Sequence, residues 1–301
     1  MFGGRRRWAA LLVCLAALAF GALSAGPAGA KAPEISPALF VVRDEDSTLY
    51  LFGTMHIRPA GAQWGGPNAH AALEEADEVW LETVEQPEDQ VLVLRYAMSA
   101  EPLSRALTPE QYARLSRALE RVGQQPGAFD MMRPWFAALM LELMPMIQRG
   151  YEIESGADMQ IQRRANERGV PVRPLETSEQ HIRILADLDM AVQVQLLMET
   201  IEAIEKGGEE SDALERAWEQ GDLDRIAATD LDELRREMPE FYEVLLVRRN
   251  AAWVETIERE LAGAGVDFVA VGAAHLAGEH SVQAMLEARG FAVERVSDSR
   301  R

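Results

Sequence analysis

The chain has 301 residues, of which 48% are hydrophobic and 26% charged, with 22 Gly and 14 Pro. That is ordinary globular composition and excludes collagen-like, low-complexity and disordered classes. Acidic residues number 49 against 30 basic, a net charge of -19; a field of that sign repels phosphate backbones and excludes nucleic acid as the main partner.

The first thirty residues differ from the rest. Arg5, Arg6 and Arg7 form a positive start, Trp8 to Phe20 is an uncharged apolar run, and Ala28-Gly29-Ala30 is a small-residue cleavage pattern before Lys31. This three-part pattern predicts a signal peptide over 1–30, and hence a periplasmic or secreted protein after cleavage near Ala30. The alternative is an uncleaved anchor, with membrane contact through this segment only. Cleavage leaves 27 basic and 49 acidic residues, or -22, and removes Cys14, the only cysteine. The mature chain then has no thiol, so cysteine nucleophiles and cysteine-ligated zinc are excluded.

A short tether, 31–37, leads to the remaining chain, 31–301, read as a single α/β domain. Thr48–Gly53 is a compact apolar run read as a buried strand. A short helix is expected over Asn68–Asp77, capped by Asn68, then a strand over Glu78–Glu82. Pro109–Arg121 is amphipathic, and Met131–Gln148 is rich in Met, Leu and Trp; both read as helix. Ser155–Arg168 reads as a helix stopped by Gly169. Val170–Glu176 reads as a strand whose prolines suit an edge or a strand end. Residues 178–262 look helical, with breaks near Gly207-Gly208 and at Gly221. Gly265–Gly272 is the cleanest buried strand. A helix over Leu276–Arg289, ended by Gly290, and a strand over Phe291–Val296 complete the chain. Short apolar strands separated by helices predict a central mixed, mostly parallel sheet with flanking helices. The helical insertions near 100–150 and 180–260 are too long for simple crossovers and are read as a helical cap.

Two strands end alike. Thr48–Gly53 runs into Gly53-Thr54-Met55-His56, and Gly265–Gly272 into Gly272-Ala273-Ala274-His275. Two others end in an acid, Glu82 and Glu176. Residues just past the carboxyl ends of parallel strands meet on one rim, where ligands bind in open α/β sheets. Glycine lets the chain turn sharply off the strand. Two imidazoles with carboxylates suit a divalent first-row ion, and an open position on that ion activates water. Standing alone, Glu82 reads as a surface acid and Glu176 as the opening of the next helix. His70 and His181 read as solvated helix residues, and His280 as an exposed residue. Arg248-Arg249-Asn250 is either a solvated turn or a clamp for a carboxylate. Asp158 and Tyr151 carry the same two readings. The chain has no G-x-S-x-G elbow, P-loop, dinucleotide fingerprint or H-E-x-x-H helix, which leaves serine hydrolase, NTPase, dinucleotide oxidoreductase and ordinary zincin readings without support.

The segments Leu51-Phe52-Gly53-Thr54-Met55-His56, Val79-Trp80-Leu81-Glu82, Gly156-Ala157-Asp158, Leu175-Glu176-Thr177, Arg249-Asn250 and Val271-Gly272-Ala273-Ala274-His275-Leu276-Ala277-Gly278 resemble, in that order, the TraB/PrgY/GumN family, which is related to the TIKI proteins. The resemblance implies a core like that of the TIKI, erythromycin-esterase and ChaN proteins, and metal-dependent hydrolysis, most readily of peptide bonds. Carried onto this chain, it implies His56, Glu82 and His275 as metal ligands, with Mn, Co or Zn as the ion. It implies Glu82, Glu176, Arg249 and Asn250 as catalytic groups. The substrate is then a peptide or a small molecule. The competing readings are a non-catalytic peptide-, metal- or haem-binding protein using the same rim, and a hydrolase in which a histidine acts as base without a metal.

Overall fold

Ala38, Leu39, Val41 and Val42 are almost wholly buried in a computed structural model that describes residues 35–84, 86, 88–207 and 211–297. The expected signal peptide, its cleavage site and Cys14 lie outside the described residues, as does most of the tether. In chain order the elements are β1 (Leu39–Arg43), β2 (Ser47–Thr54), β3 (Arg58–Pro59), α1 (Pro67–Glu75), β4 (Glu78–Leu81), α2 (Asp89–Ala97), α3 (Leu103–Ala106), α4 (Pro109–Arg121) and α5 (Pro134–Gln148). They continue with β5 (Tyr151–Glu152), α6 (Ala157–Arg168), β6 (Val172–Pro174), α7 (Ser178–Ala186), α8 (Met190–Lys206), α9 (Ser211–Glu219), α10 (Leu223–Ile226), α11 (Asp232–Glu237), α12 (Pro239–Tyr242), α13 (Arg248–Leu261), β7 (Gly265–Gly272), α14 (Val282–Ala288) and β8 (Val293–Val296).

Two compact units are woven from this chain. The first takes the described parts of 85–150 and 178–211 and is all helical. In it α5 and α4 pack against α8, and α2 packs against α7. Helix α4 starts where it does because Thr108 and Gln111 form a reciprocal capping box and Pro109 stands at the first helical position, where its missing N–H costs nothing. Helix α5 is apolar all round and buried over Trp135–Leu141, as expected of a helix with no solvent face. It begins at Pro134, three residues later than expected from the apolar run alone.

The second unit takes the described parts of 21–84, 151–177 and 212–301 and holds the sheet. Six strands lie in the order β6-β4-β7-β2-β1-β8. The pairs β6–β4, β4–β7 and β7–β2 are parallel; β2–β1 and β1–β8 are antiparallel. The fold class is thus the expected α/β one: a mixed, mostly parallel sheet flanked by helices. Strand β7, as the sequence suggests, is interior, with Phe268, Val269, Ala270 and Val271 buried. Phe52 meets Trp64 edge-on at 5.4 Å and Phe268 at 5.9 Å, and burying each such side chain contributes about 1.5–3 kcal/mol. The edge position expected of the proline-bearing strand is where β6 lies. The helical stretch expected over 178–262 divides: α7 and α8 belong to the first unit, and α9 from Asp212 onward, with α10–α13, belongs with the sheet.

Strand β1 has no counterpart among the expected elements. It forms a hairpin with β2, whose turn is closed by Asp44: its Oδ1 accepts from the Ser47 N–H at 2.9 Å and from the Ser47 hydroxyl at 2.7 Å. The expected Asn68 cap is also corrected. Helix α1 begins at Pro67 with Gly66 as its cap, and the Asn68 side chain donates to the Ser297 carbonyl instead. The expected helix over 276–289 is shorter: Ala273–Leu276 is a single 3-10 turn, and α14 starts at Val282. Gly278, at φ +76, turns the chain between them.

Candidate active site

The parallel strands β2, β4, β6 and β7 deliver their carboxyl ends to one rim of the second unit. Register fixes this: Thr54 pairs with Gly272, Leu81 with Ala270 and with Pro174. Just past these ends the Leu175 N–H donates to the Leu81 carbonyl at 2.8 Å, and the Glu176 N–H to the Glu82 carbonyl at 3.0 Å. Glu82 and Glu176 are therefore held side by side by backbone. Neither is a surface acid: Glu82 is 5% exposed and the Glu176 side chain 9%.

Glu82 is the hub. Its Oε1 accepts from the Gly272 N–H at 2.6 Å. His56 Nε2 lies 3.7 Å from that oxygen, and His275 Nε2 3.9 Å from it. The two glycine-histidine motifs, far apart in sequence, thus meet at one carboxylate oxygen. Gly272 makes room for them. A Cβ there would sit 3.1 Å from Glu82 Oε1, 3.4 Å from His56 Nε2 and 3.7 Å from His275 Cδ2.

Arg249 and Asn250 arrive on the opening of α13, which continues directly from a π-helical segment, Glu243–Val247; such segments recur at functional sites. Helical spacing turns Arg248 outward and buries its two neighbours. The Arg249 guanidinium makes five contacts, as many as it has N–H donors. It donates from Nη2 to Glu82 Oε2 at 2.5 Å and Glu176 Oε1 at 2.7 Å, from Nε to Glu176 Oε2 at 3.1 Å, and from Nη1 to the Leu245 carbonyl at 3.1 Å. The fifth contact is Nη1 to His275 Nε2, 2.9 Å. Its plane also stacks on Trp253, 4.5 Å from the ring centre. The solvated-turn reading of Arg249 and Asn250 is excluded by this burial.

The hydrogen bonds fix the state of His275. A guanidinium only donates, so Nε2 is the acceptor and Nδ1 carries the proton. That proton goes to Asn250 Oδ1 at 2.5 Å, whose amide nitrogen donates to the carbonyls of His280 at 2.7 Å and His275 at 3.3 Å. Burial, then the charge of Arg249, push the His275 pKa down to about 3, so its ring is neutral. His56 goes the other way. Burial opposes its charge, but Asp158 and Glu82 outweigh that and raise its pKa to about 9. Burial also opposes the charge on Arg249, and Glu176 and Glu82 more than reverse it.

Asp158, weighed evenly with Tyr151 from sequence, reaches the site: its Oδ1 lies 3.0 Å from His56 Nδ1. The contact is too bent for a hydrogen bond, and neither ring nitrogen of His56 has a hydrogen-bond partner among the described residues. Tyr151 is elsewhere, bonded to Glu215 at 2.6 Å. Trp253, 4.5 Å from the His275 ring, escaped the sequence reading, although it lies one helical turn beyond Arg249 and Asn250. Among the other histidines, His70 is exposed and rests on Trp64. His280 is partly exposed and meets the Tyr242 hydroxyl at 3.0 Å. His181, expected to be solvated, is 3% exposed, because it lies on the inward face of α7.

Two carboxylates and the open edge of His56 suit a divalent cation, whereas Nε2 of His275 already accepts from Arg249. Glu82 and Glu176 belong to a group of side chains close enough to share an ion, but that group includes neither His56 nor His275. The buried Nε2 of His56 has no hydrogen-bond partner among the described residues, and the missing Cβ of Gly272 leaves that edge of the ring uncrowded. No curated protein and no solved structure matches the chain. The family model described as TraB/PrgY/gumN matches residues 38–295, every strand but the last residue of β8 included, and the chain belongs to that family.

Proposed function

We propose that the protein is an exported, metal-dependent hydrolase of peptidase type, acting on a peptide or small molecule with Mn, Co or Zn held by His56, Glu82 and His275. The observation that supports this best is the approach of both strand-end imidazoles to Glu82 Oε1, within 4 Å. A bound ion lowers the pKa of a coordinated water toward neutrality and polarises a carbonyl. The chain's own groups do the rest. Arg249 fixes the direction of Glu82 and keeps Glu176 beside it. Glu176 accepts the proton released by the attacking water. Asn250 orients His275, and Trp253 covers the ring and keeps bulk water out. Export rests on the arginine, apolar and small-residue pattern of residues 1–30.

The test is purification of the mature chain, metal analysis, and exposure to a peptide library. About one ion per chain is expected from the ligand count. Cleavage should stop with chelator and in both His56→Ala and His275→Ala. No ion uptake by the wild type overturns the metal reading. Stoichiometric uptake with no hydrolysis identifies a binding protein instead. A new amino terminus at Lys31 is expected in protein recovered from outside the cytoplasm; an intact start at Met1 in the cytoplasm overturns export.

A second reading has its own observation. Arg249 already occupies His275 Nε2, and His56 carries a raised pKa of about 9. This suits a metal-free hydrolase in which His56 is the acid and Glu176 the base. Turnover that survives chelation distinguishes it.

A further inference from the structure

The two histidine motifs are built on one plan beyond their shared spacing. Each ring is approached at Nδ1 by a side-chain oxygen from a helix opening: Asn250 Oδ1 at 2.5 Å for His275 and Asp158 Oδ1 at 3.0 Å for His56. Each then presents Nε2 toward the same oxygen of Glu82. Asp158 is the second residue of α6, and the start of that helix is fastened to the β2 loop. The Ala157 N–H donates to the Met55 carbonyl at 2.9 Å. Gly156 lies so close to the loop that a Cβ would sit 2.3 Å from the His56 carbonyl oxygen, so only glycine lets α6 begin there. The helix start thus brings a carboxylate oxygen within 3.0 Å of one edge of the imidazole, at an angle too bent for a hydrogen bond, and neither ring nitrogen has a hydrogen-bond partner among the described residues.

We propose that Asp158 is the positioning residue for His56: it holds the proton on Nδ1, and so leaves Nε2 as the nitrogen that faces Glu82. This deepens the metal-centre reading above and rests on it for its consequence in ion binding. The contact between Asp158 and His56 itself stands apart from that reading. Ligating imidazoles are commonly steered in this way by a carboxylate or carbonyl at the opposite nitrogen. Here one imidazole is steered by a carboxylate and its counterpart by an amide.

The experiment has two arms, both on the full chain. The first is proton NMR of the metal-free protein labelled with 15N-histidine. A slowly exchanging, hydrogen-bonded Nδ1–H of His56 is expected in the wild type. It persists in Asp158→Asn, whose amide oxygen accepts as that of Asn250 does, and disappears in Asp158→Ala. Asn250→Ala assigns the matching signal of His275. Absence of the His56 signal in the wild type, or its survival in Asp158→Ala, overturns the proposal, and the wild-type spectrum decides even where a variant fails to fold. The second arm is Zn2+ titration by calorimetry. Asp158→Ala should bind about 10–100-fold more weakly, the usual effect of losing such a partner, and Asp158→Asn should recover most of it. Equal affinity in wild type and Asp158→Ala overturns the proposal as well. A wild type that takes up no Zn2+ but shows the Nδ1–H signal sinks the metal-centre reading and leaves the role of Asp158 standing.

Discussion

Arg249 is a guanidinium with its side chain 5% exposed, placed between carboxylates that are 5% and 9% exposed. Removing ions from water is costly, and such a group is stable only when its charge and its donors are all answered. Arg249 meets both conditions, with two carboxylates, one carbonyl and one imidazole nitrogen around it. Arg249→Met removes the cation and leaves two carboxylates facing each other in a buried place. The expected cost is about 3–5 kcal/mol, the usual result of orphaning a buried charge. Arg249→Lys restores the charge but not the planar fork, so it cannot bridge both carboxylates as the native residue does, and it should recover only part of the loss. Urea unfolding of the three proteins measures this. A methionine variant as stable as wild type would show that the carboxylates find other partners and that the pairing does not hold the rim together.

At the scale of elements, what the sequence makes legible is what local pattern controls. Strand β7 has the predicted bounds because its apolar run is interior on both sides, and α4 has them because Thr108-Pro109 starts a helix whatever lies around it. The convergence of His56, Glu82, Glu176 and His275 was legible for a similar reason: parallel strands end on one rim, so residues just past them meet. Strand β1 was not legible. Its five residues carry no period that separates a strand from a plain approach segment, and one of its partners, β8, lies about 250 residues later in the chain. Asp158 was only half legible, since nothing in Gly156-Ala157-Asp158 says which loop α6 will be fastened to. The opposite end of β7 shows what burial does to an acid crowded by other acids, beside an Arg173 that is paired with Glu78. Asp267 sits among Glu260, Glu78 and Asp77; burial first, then Glu260 and Glu78, raise its pKa from 3.8 to about 6. A raised carboxylate pKa means that the folded state prefers the protonated form, so ionisation costs stability. The cost is absent below pH 3.8, grows between there and about 6, and is complete above. Asp267→Asn should therefore raise the melting temperature at neutral pH and leave it unchanged at about pH 3.5, below the ordinary carboxylate range. Equal shifts at both values would mean that packing, and not charge, decides the effect.

For the molecule as a whole, the deciding quantity is the excess of 49 acidic over 30 basic residues. Like charges in that number repel one another over distances that side-chain pairing does not cover, and compaction brings them closer than they stand in the unfolded chain. Salt acts on two opposing sets of interactions. It weakens exposed pairs such as Arg164–Glu74 and Arg183–Asp187, with side chains about half exposed, but each of these contributes only about 0–1 kcal/mol. It also screens the general repulsion, since the Debye length falls to about 8 Å at physiological ionic strength. The buried cluster around Arg249 is shielded from ions and changes little. Screening of the repulsion therefore wins, and the melting temperature should rise when NaCl goes from about 10 mM to about 150 mM. Choline chloride at equal ionic strength should give the same rise, because its cation cannot be gripped by a small oxygen site. A rise with NaCl alone would assign the effect to sodium held by acidic side chains, and a fall with both salts would mean that the exposed pairs outweigh the net charge.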